Sequence, residues 1–220
     1  IIMKKIVIIP VFCESHLIKY QIPNIIDTIN PDCIIYNEGM FPSGPESSTN
    51  VSDDFLSKYT LDGKRGFDYE DLKSIISEAQ KKYKNVKIIL NEMSFPEDMH
   101  NAPLCYYTAC SNFKDLGIDI EEGDLIYPLE GDVFHHESSK QSFEEMSNKL
   151  EPNSGFRSIW IDFLETPYYA EKCTLKHFIK EEWKGQFVLN GNGTVKSRKI
   201  CIKFGTHDFY KDVLLNFMTE

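Results

Sequence analysis

The sequence predicts a single α/β domain built on a doubly wound, mostly parallel sheet. Over the first two-thirds of the chain, short runs that are β-branched and apolar almost throughout alternate with segments of helical periodicity. That is the pattern of strands covered on both faces and joined by crossover helices. A length of 220 residues suits one large domain better than two. A hydrophobic fraction of 41%, with 13% aromatic residues, supplies a substantial core and excludes a wholly disordered chain.

The elements follow in order. Residues 5–11 (KIVIIPV) are the first expected strand. A helix is expected over 16–29, where Leu17, Tyr20, Ile25 and Ile29 recur along it and Pro23 interrupts it. Residues 32–36 (DCIIY) form a second strand. Residues 37–66 carry Gly39, Pro42, Gly44, Pro45 and Gly63 with few core residues, and read as a long loop of the kind that is usually functional or mobile. The clearest helix covers 69–83, because Leu72, Ile75, Ile76, Ala79 and Tyr83 make one buried stripe and Asp68 is placed to cap it. Residues 86–90 (VKIIL) are a third strand, 102–116 a third helix closing at Gly117, and 124–129 (DLIYPL) a fourth strand. Beyond residue 137 the rhythm becomes irregular. A short helix is expected over 143–150, strands over 158–164 and 199–204, an aromatic-rich stretch over 166–190, and a last helix over 209–218. That helix reaches Glu220 without a stop signal, as expected of one domain of a longer protein.

Net charge is −10, which argues against a nucleic-acid footprint, since phosphate neutralisation needs clustered Lys and Arg. A phosphorylated ligand is still allowed if a metal or backbone N–H groups meet its charge. The six cysteines, at 13, 33, 105, 110, 173 and 201, include no CxxC pair and read as free thiols of a reducing compartment. The opening apolar run is too short for a signal peptide, and no run approaches the ~18 residues of a membrane span. A cytoplasmic location is therefore expected, and the Lys, Ile and Asn usage suits a viral or low-GC bacterial source.

In open α/β sheets ligands bind beyond the carboxyl ends of the strands. The four expected tips are 12–16 (FCESH), 37–46 (NEGMFPSGPE), 91–96 (NEMSFP) and 130–137 (EGDVFHHE). In the fourth, Glu130 and Asp132 flank a glycine, so two carboxylates can project the same way while Gly131 permits a close approach of the backbone. This donor set suits one Mg²⁺ or Mn²⁺ bridging a diphosphate. An ordinary acidic turn, or a glycine needed only for positive φ, has the same spacing. His135-His136-Glu137 lacks any zinc-site spacing, and no GxxxxGK[ST] or GxGxxG is present.

Two segments together, the opening Ile8-Ile9-Pro10-Val11-Phe12-Cys13-Glu14 and the strand-ending Tyr127-Pro128-Leu129-Glu130-Gly131-Asp132, resemble a glycosyltransferase of the A-type fold, the nucleotide-diphospho-sugar transferase superfamily. The resemblance covers residues 4–137, with weaker support to His207. It implies one domain over 1–220, with a nucleotide-binding part over 4–137 and an irregular acceptor-side part over 138–220. It implies that Glu130 and Asp132 stand where the family holds its DxD-type metal motif, although Glu130 departs from the usual first Asp. His207 is the implied distant metal ligand, and Pro10, Phe12, Glu14 and Glu38 the implied contacts to the nucleotide. The implied reaction moves a sugar from a nucleotide-diphosphate donor to a hydroxyl of a glycan, protein or lipid acceptor, with Mn²⁺ or Mg²⁺. Glu137, Asp162 and Glu165 are then candidates for the base, and Trp160, Tyr168, Tyr169 and Trp183 for the acceptor wall. A nucleotidyltransferase, or a non-catalytic carbohydrate-binding or assembly domain on a degenerate transferase fold, remains the alternative.

Overall fold

The structure, a computed structural model, describes residues 3–39, 53–61, 63, 65–92, 113–135, 137, 139–152, 155–161, 188–189 and 197–203, the last three ranges by their backbone alone. Its strands are β1 (Lys5–Val11), β2 (Cys33–Glu38), β3 (Lys87–Glu92), β4 (Leu125–Pro128), β5 (Gly155–Ile161), β6 (Val188–Leu189) and β7 (Ser197–Lys203). The helices among the described residues are α1 (Ser15–Thr28), α2 (Asp53–Tyr59), α3 (Tyr69–Lys82) and α4 (Ser139–Lys149). The strands make one sheet in the order β3-β2-β1-β4-β7-β5-β6. β1 pairs parallel with β2 and β4, and β2 with β3, whereas β7 runs antiparallel to both β4 and β5. The fold is therefore α/β, with a mostly parallel sheet.

The expected continuous apolar strands are present because both faces are shielded. On one face Val7, Ile9, Val11, Ile34, Tyr36, Ile88, Leu125 and Tyr127 pack with Ile18, Ile22 and Ile25 of α1, Leu72, Ile76 and Ala79 of α3, and Phe143 of α4. The alternate residues Ile6, Ile8, Ile35 and Ile126 point the other way and are equally buried. Two carboxylates, Asp32 exposed and Asp124 buried, fix the amino-terminal edge. Asp32 accepts from the Lys5 amide at 2.8 Å. Asp124, 2% exposed, accepts from the amides of Lys4 (2.8 Å) and Glu121 (2.9 Å).

Four differences from the sequence reading have physical causes. α1 runs through Pro23 without a break. The carbonyl left without its helical donor is that of Lys19, an exposed residue. The long 37–66 loop contains α2, whose seven mostly polar residues are too few to display a period. Asp68 stands at the N-cap of α3 but makes no side-chain bond to that helix. Its carboxylate instead accepts from the Ser15 amide in the first turn of α1 at 2.7 Å, so one helix's cap residue serves its neighbour. β2 and β3 both extend through a Glu at their carboxyl ends, past the expected stops.

Other expectations hold. The closure expected at Gly117 is a Schellman motif: Gly117 has φ +65°, its N–H donates to Lys114 O at 3.0 Å, and the Ile118 N–H reaches Phe113 O at 2.8 Å. Residues 113–117 are turn, and the rest of the helix expected over 102–116 and the one expected over 209–218 lie outside the described residues. Cys13 and Cys33 are free thiols, and no helix among the described residues is long and apolar enough to cross a membrane.

Candidate functional site

β2 and β3 lie in succession on one side of β1, and β4 returns to its other side. In open α/β sheets the ligand crevice is expected where strand order turns back in this way, between the carboxyl ends of the two diverging strands. Here those ends are the β1 tip, residues 12–14, and the β4 tip, residues 129–132.

The two tips are pressed together. Leu129 continues the ladder by donating to Ile8 O at 2.9 Å, and the chain then turns, with Val133 N bonded to Glu130 O at 3.2 Å. At the middle of that turn Gly131 faces the β1 tip. An added Cβ would overlap Glu14 Oε2, come within 3.0 Å of Glu14 Cδ and lie 3.5 Å from Pro10 O. Positive φ is not the reason for this glycine, since the positive-φ glycines are Gly63, Gly117 and Gly123. The close approach that Gly131 permits is that of the Glu14 carboxylate.

Glu14 is also the N-cap residue of α1, and its carbonyl accepts from the amides of Leu17 and Ile18 at 2.9 and 3.2 Å. Burial pushes its carboxyl up to about 7, and the nearby charges of Asp132 and then Asp68 add to the rise, against a backbone hydrogen bond from Phe12. Cys13, before it, adopts φ +59°, which turns the chain sharply from strand into helix. Its Sγ donates to Tyr59 O at 3.3 Å, and burial raises the thiol to about 11, so it is no thiolate nucleophile.

A second acidic group at the same edge is neutralised internally. Glu38, 1% exposed, accepts from Arg65 Nη1 at 2.8 Å and from the Gly66 amide at 2.9 Å. Arg65 Nη2 lies 3.6 Å from Glu92, which also takes the Tyr69 hydroxyl. On the opposite face of the same strand ends, Asn91 Nδ2 donates to Asn37 Oδ1 at 2.9 Å, and Asn37 Nδ2 is buried without a partner.

Of the residues singled out from the sequence, Pro10, Phe12, Glu14, Glu130 and Asp132 come together at the junction of the β1 and β4 tips. Pro10 is buried, Phe12, Glu14 and Glu130 are half-buried, and Asp132 is exposed. Glu38 lies at the end of β2 with both carboxylate oxygens engaged. Glu137 is exposed just before α4, its carbonyl accepting from the Lys140 amide at 3.3 Å. Asp162, Glu165 and His207 lie outside the described residues, as do Tyr168, Tyr169 and Trp183.

His135 is not at the crevice. Its ring meets Phe143 edge-on at 4.9 Å and its Nδ1 lies 3.3 Å from Thr28 Oγ1. The sequence reading missed Arg65, which sits in a turn segment without periodicity, and placed Asp68 only as a helix cap, not beside Glu14. It also missed Gln21, Asn24 and Thr28 of α1, although a polar i, i+3, i+7 row beside an apolar stripe was a usable signal.

The donors at the crevice are hard carboxylate oxygens, which suit Mg²⁺ or Mn²⁺ and not a softer metal. No group of three metal-ligating side chains occurs among the described residues. Mg²⁺ typically needs only one or two protein carboxylates when phosphate oxygens and water complete its shell, so the residues present fit that role. No protein-family model matches this chain, and no curated protein matches it at a significant level.

Proposed function

We propose that this chain is a metal-dependent glycosyltransferase of the nucleotide-diphospho-sugar type, moving a sugar from a nucleotide-diphosphate donor to an acceptor hydroxyl. The observation that carries the proposal is the position of the Glu130-Gly131-Asp132 turn. It lies where the sheet order turns back, against the Glu14 tip of β1. In this reading the sheet is doubly wound, and Asp132, exposed at the rim, is the direct metal ligand, with Glu130 its partner.

The bound Mn²⁺ or Mg²⁺ would offset charge on the leaving diphosphate. Pro10 and Phe12 would flank the base and ribose. Glu14, held by burial as a carboxyl that titrates near 7, would be a hydrogen-bond donor to a ribose oxygen while protonated. Glu137, Asp162 and Glu165 are the candidates to take the acceptor proton, and His207 is a candidate to complete the metal shell.

Calorimetric titration with UDP- and GDP-sugars, with and without Mn²⁺, tests this. Wild type should bind one of them only with the metal, and Asp132→Ala should lose that binding while keeping its fold. Metal-independent binding of equal strength in both proteins, or no binding in either, would sink the transferase reading.

A further inference from the structure

Three polar side chains on one face of α1 spend their hydrogen bonds on the segment that carries Asp132. Gln21 Nε2 donates to Glu130 O at 2.7 Å and to Val133 O at 3.1 Å. Asn24 forms a two-way bridge: its Nδ2 donates to His135 O at 2.7 Å and its Oδ1 accepts from the His135 amide at 2.8 Å. Thr28 Oγ1 lies 3.3 Å from His135 Nδ1. The Thr28 hydroxyl also donates to Asn24 O at 2.7 Å. Tyr36 of β2 in turn donates to Gln21 Oε1 at 3.4 Å, tying the row to the sheet.

Gln21 is fully buried, and Thr28 is 5% exposed. An ordinary surface turn needs no such mount. Apolar packing would hold it, whereas buried amides are favourable only when each polar group is satisfied in a fixed geometry. The bonds fall on Glu130, Val133 and His135, bracketing the exposed Asp132 on both sides.

We infer that Gln21 and Asn24, through their bonds to the 130–135 backbone, and Thr28, through its contact with the His135 ring, are positioning residues that fix the Asp132 carboxylate for metal–diphosphate binding. The inference rests on the function proposed above. It assigns to α1 the outer-shell role that commonly sets metal affinity, where loss of a partner costs about 10–100-fold.

The test uses Gln21→Met and Asn24→Ala, with Ile25→Val on the same helix as a control of core stability. Two readouts are taken on folded protein: Mn²⁺-dependent UDP binding by calorimetry, and hydrogen exchange of the Val133 and His135 amides. Gln21→Met and Asn24→Ala should weaken Mn²⁺–UDP binding about 10–100-fold and speed exchange in the turn. Ile25→Val should lower the unfolding midpoint and change neither readout. Asn24→Asp, which keeps the acceptor for the His135 amide, should fall between and serves if Asn24→Ala does not fold.

Unchanged exchange at 133–135 overturns the clamp. Faster exchange with undiminished Mn²⁺–UDP affinity overturns its positioning role. A wild type that binds no Mn²⁺–UDP, GDP being tried alongside, overturns the site reading and with it the positioning role of α1. A wild type that binds while the variants bind equally overturns the positioning role alone and leaves the site reading standing.

Discussion

At Gly131 one added methyl group would overlap Glu14 Oε2 and lie 3.0 Å from Glu14 Cδ. Gly131→Ala should therefore destabilise the fold by about 1–3 kcal/mol, as overpacking does. Pairing it with Glu14→Ala should recover much of that loss, since the two sites share one contact, and a denaturant double-mutant cycle measures the coupling. Two other residues set opposing pH slopes. Burial lowers His135 to about 4 from 6.5, so between those values the unfolded chain binds more protons. Its contribution is complete above 6.5 and is lost as pH falls towards 4, by about 1–3 kcal/mol. Glu14 is raised from 4.5 to about 7, so its contribution is complete below 4.5 and is lost as pH rises through 7. Over the shared range the slopes oppose each other. In urea titrations from pH 4.5 to 8, His135→Leu should make stability fall with pH and Glu14→Gln should make it rise. If the single variants keep the wild-type profile, these burial effects are not the cause. The sequence singled out Glu14 as a strand-tip acid. It could not reveal that the carboxylate is crowded by Asp132 and Asp68, because those residues are distant in the chain and meet it only through strand order.

Between elements, the most exacting contact is the Arg65–Glu38 pair, which joins the segment before α3 to the end of β2 at 2.8 Å with Glu38 1% exposed. Arg65→Ala strands a buried carboxylate and should cost about 3–5 kcal/mol. Arg65→Ala combined with Glu38→Gln should recover a large part, because the amide needs no counter-charge. Chemical denaturation of the three variants decides it, and equal losses in the single and double variants would locate the cost in lost Arg65 packing instead. The elements themselves were legible wherever a period was long enough. α3 announced itself by its apolar stripe, and β1 by an unbroken β-branched run. α2 was not legible, being seven residues with two acids at its start. Nor was the continuity of α1, since nothing in the sequence says that the carbonyl orphaned by Pro23 belongs to an exposed residue. Asp68 shows the same gap from the other side: its type and place correctly signalled a helix terminus, but the amide it meets belongs to another helix.

For the whole molecule, the alternation of strand and helix specified an α/β sheet, because strand-helix-strand links constrain their own pairing. The position of β7 was beyond reach, since its pairing with β4 and β5 is non-local and antiparallel. The site was legible as a strand-end acidic turn for the same local reason, while its mount on α1 was hidden in three polar residues of a helix read for its apolar face. β7 is what attaches β5 and β6 to the rest of the sheet, since it lies between β4 and β5. A chain ending at residue 196 should lose cooperative unfolding and self-associate, as read by calorimetry and size-exclusion chromatography. Retention of a sharp transition would mean that β1 to β4 with α1 and α3 are a self-sufficient unit. The same topology imposes an order in time. β4 ends at Pro128 and its partners on β7 are Ile202 and Lys203, so the whole stretch between must be translated before that flank of β4 finds its neighbour. At ribosomal speed this is on the order of several seconds of open strand edge. The nascent chain limits the hazard by brevity: β4 is four residues long and ends in a proline that offers no N–H to a stray strand.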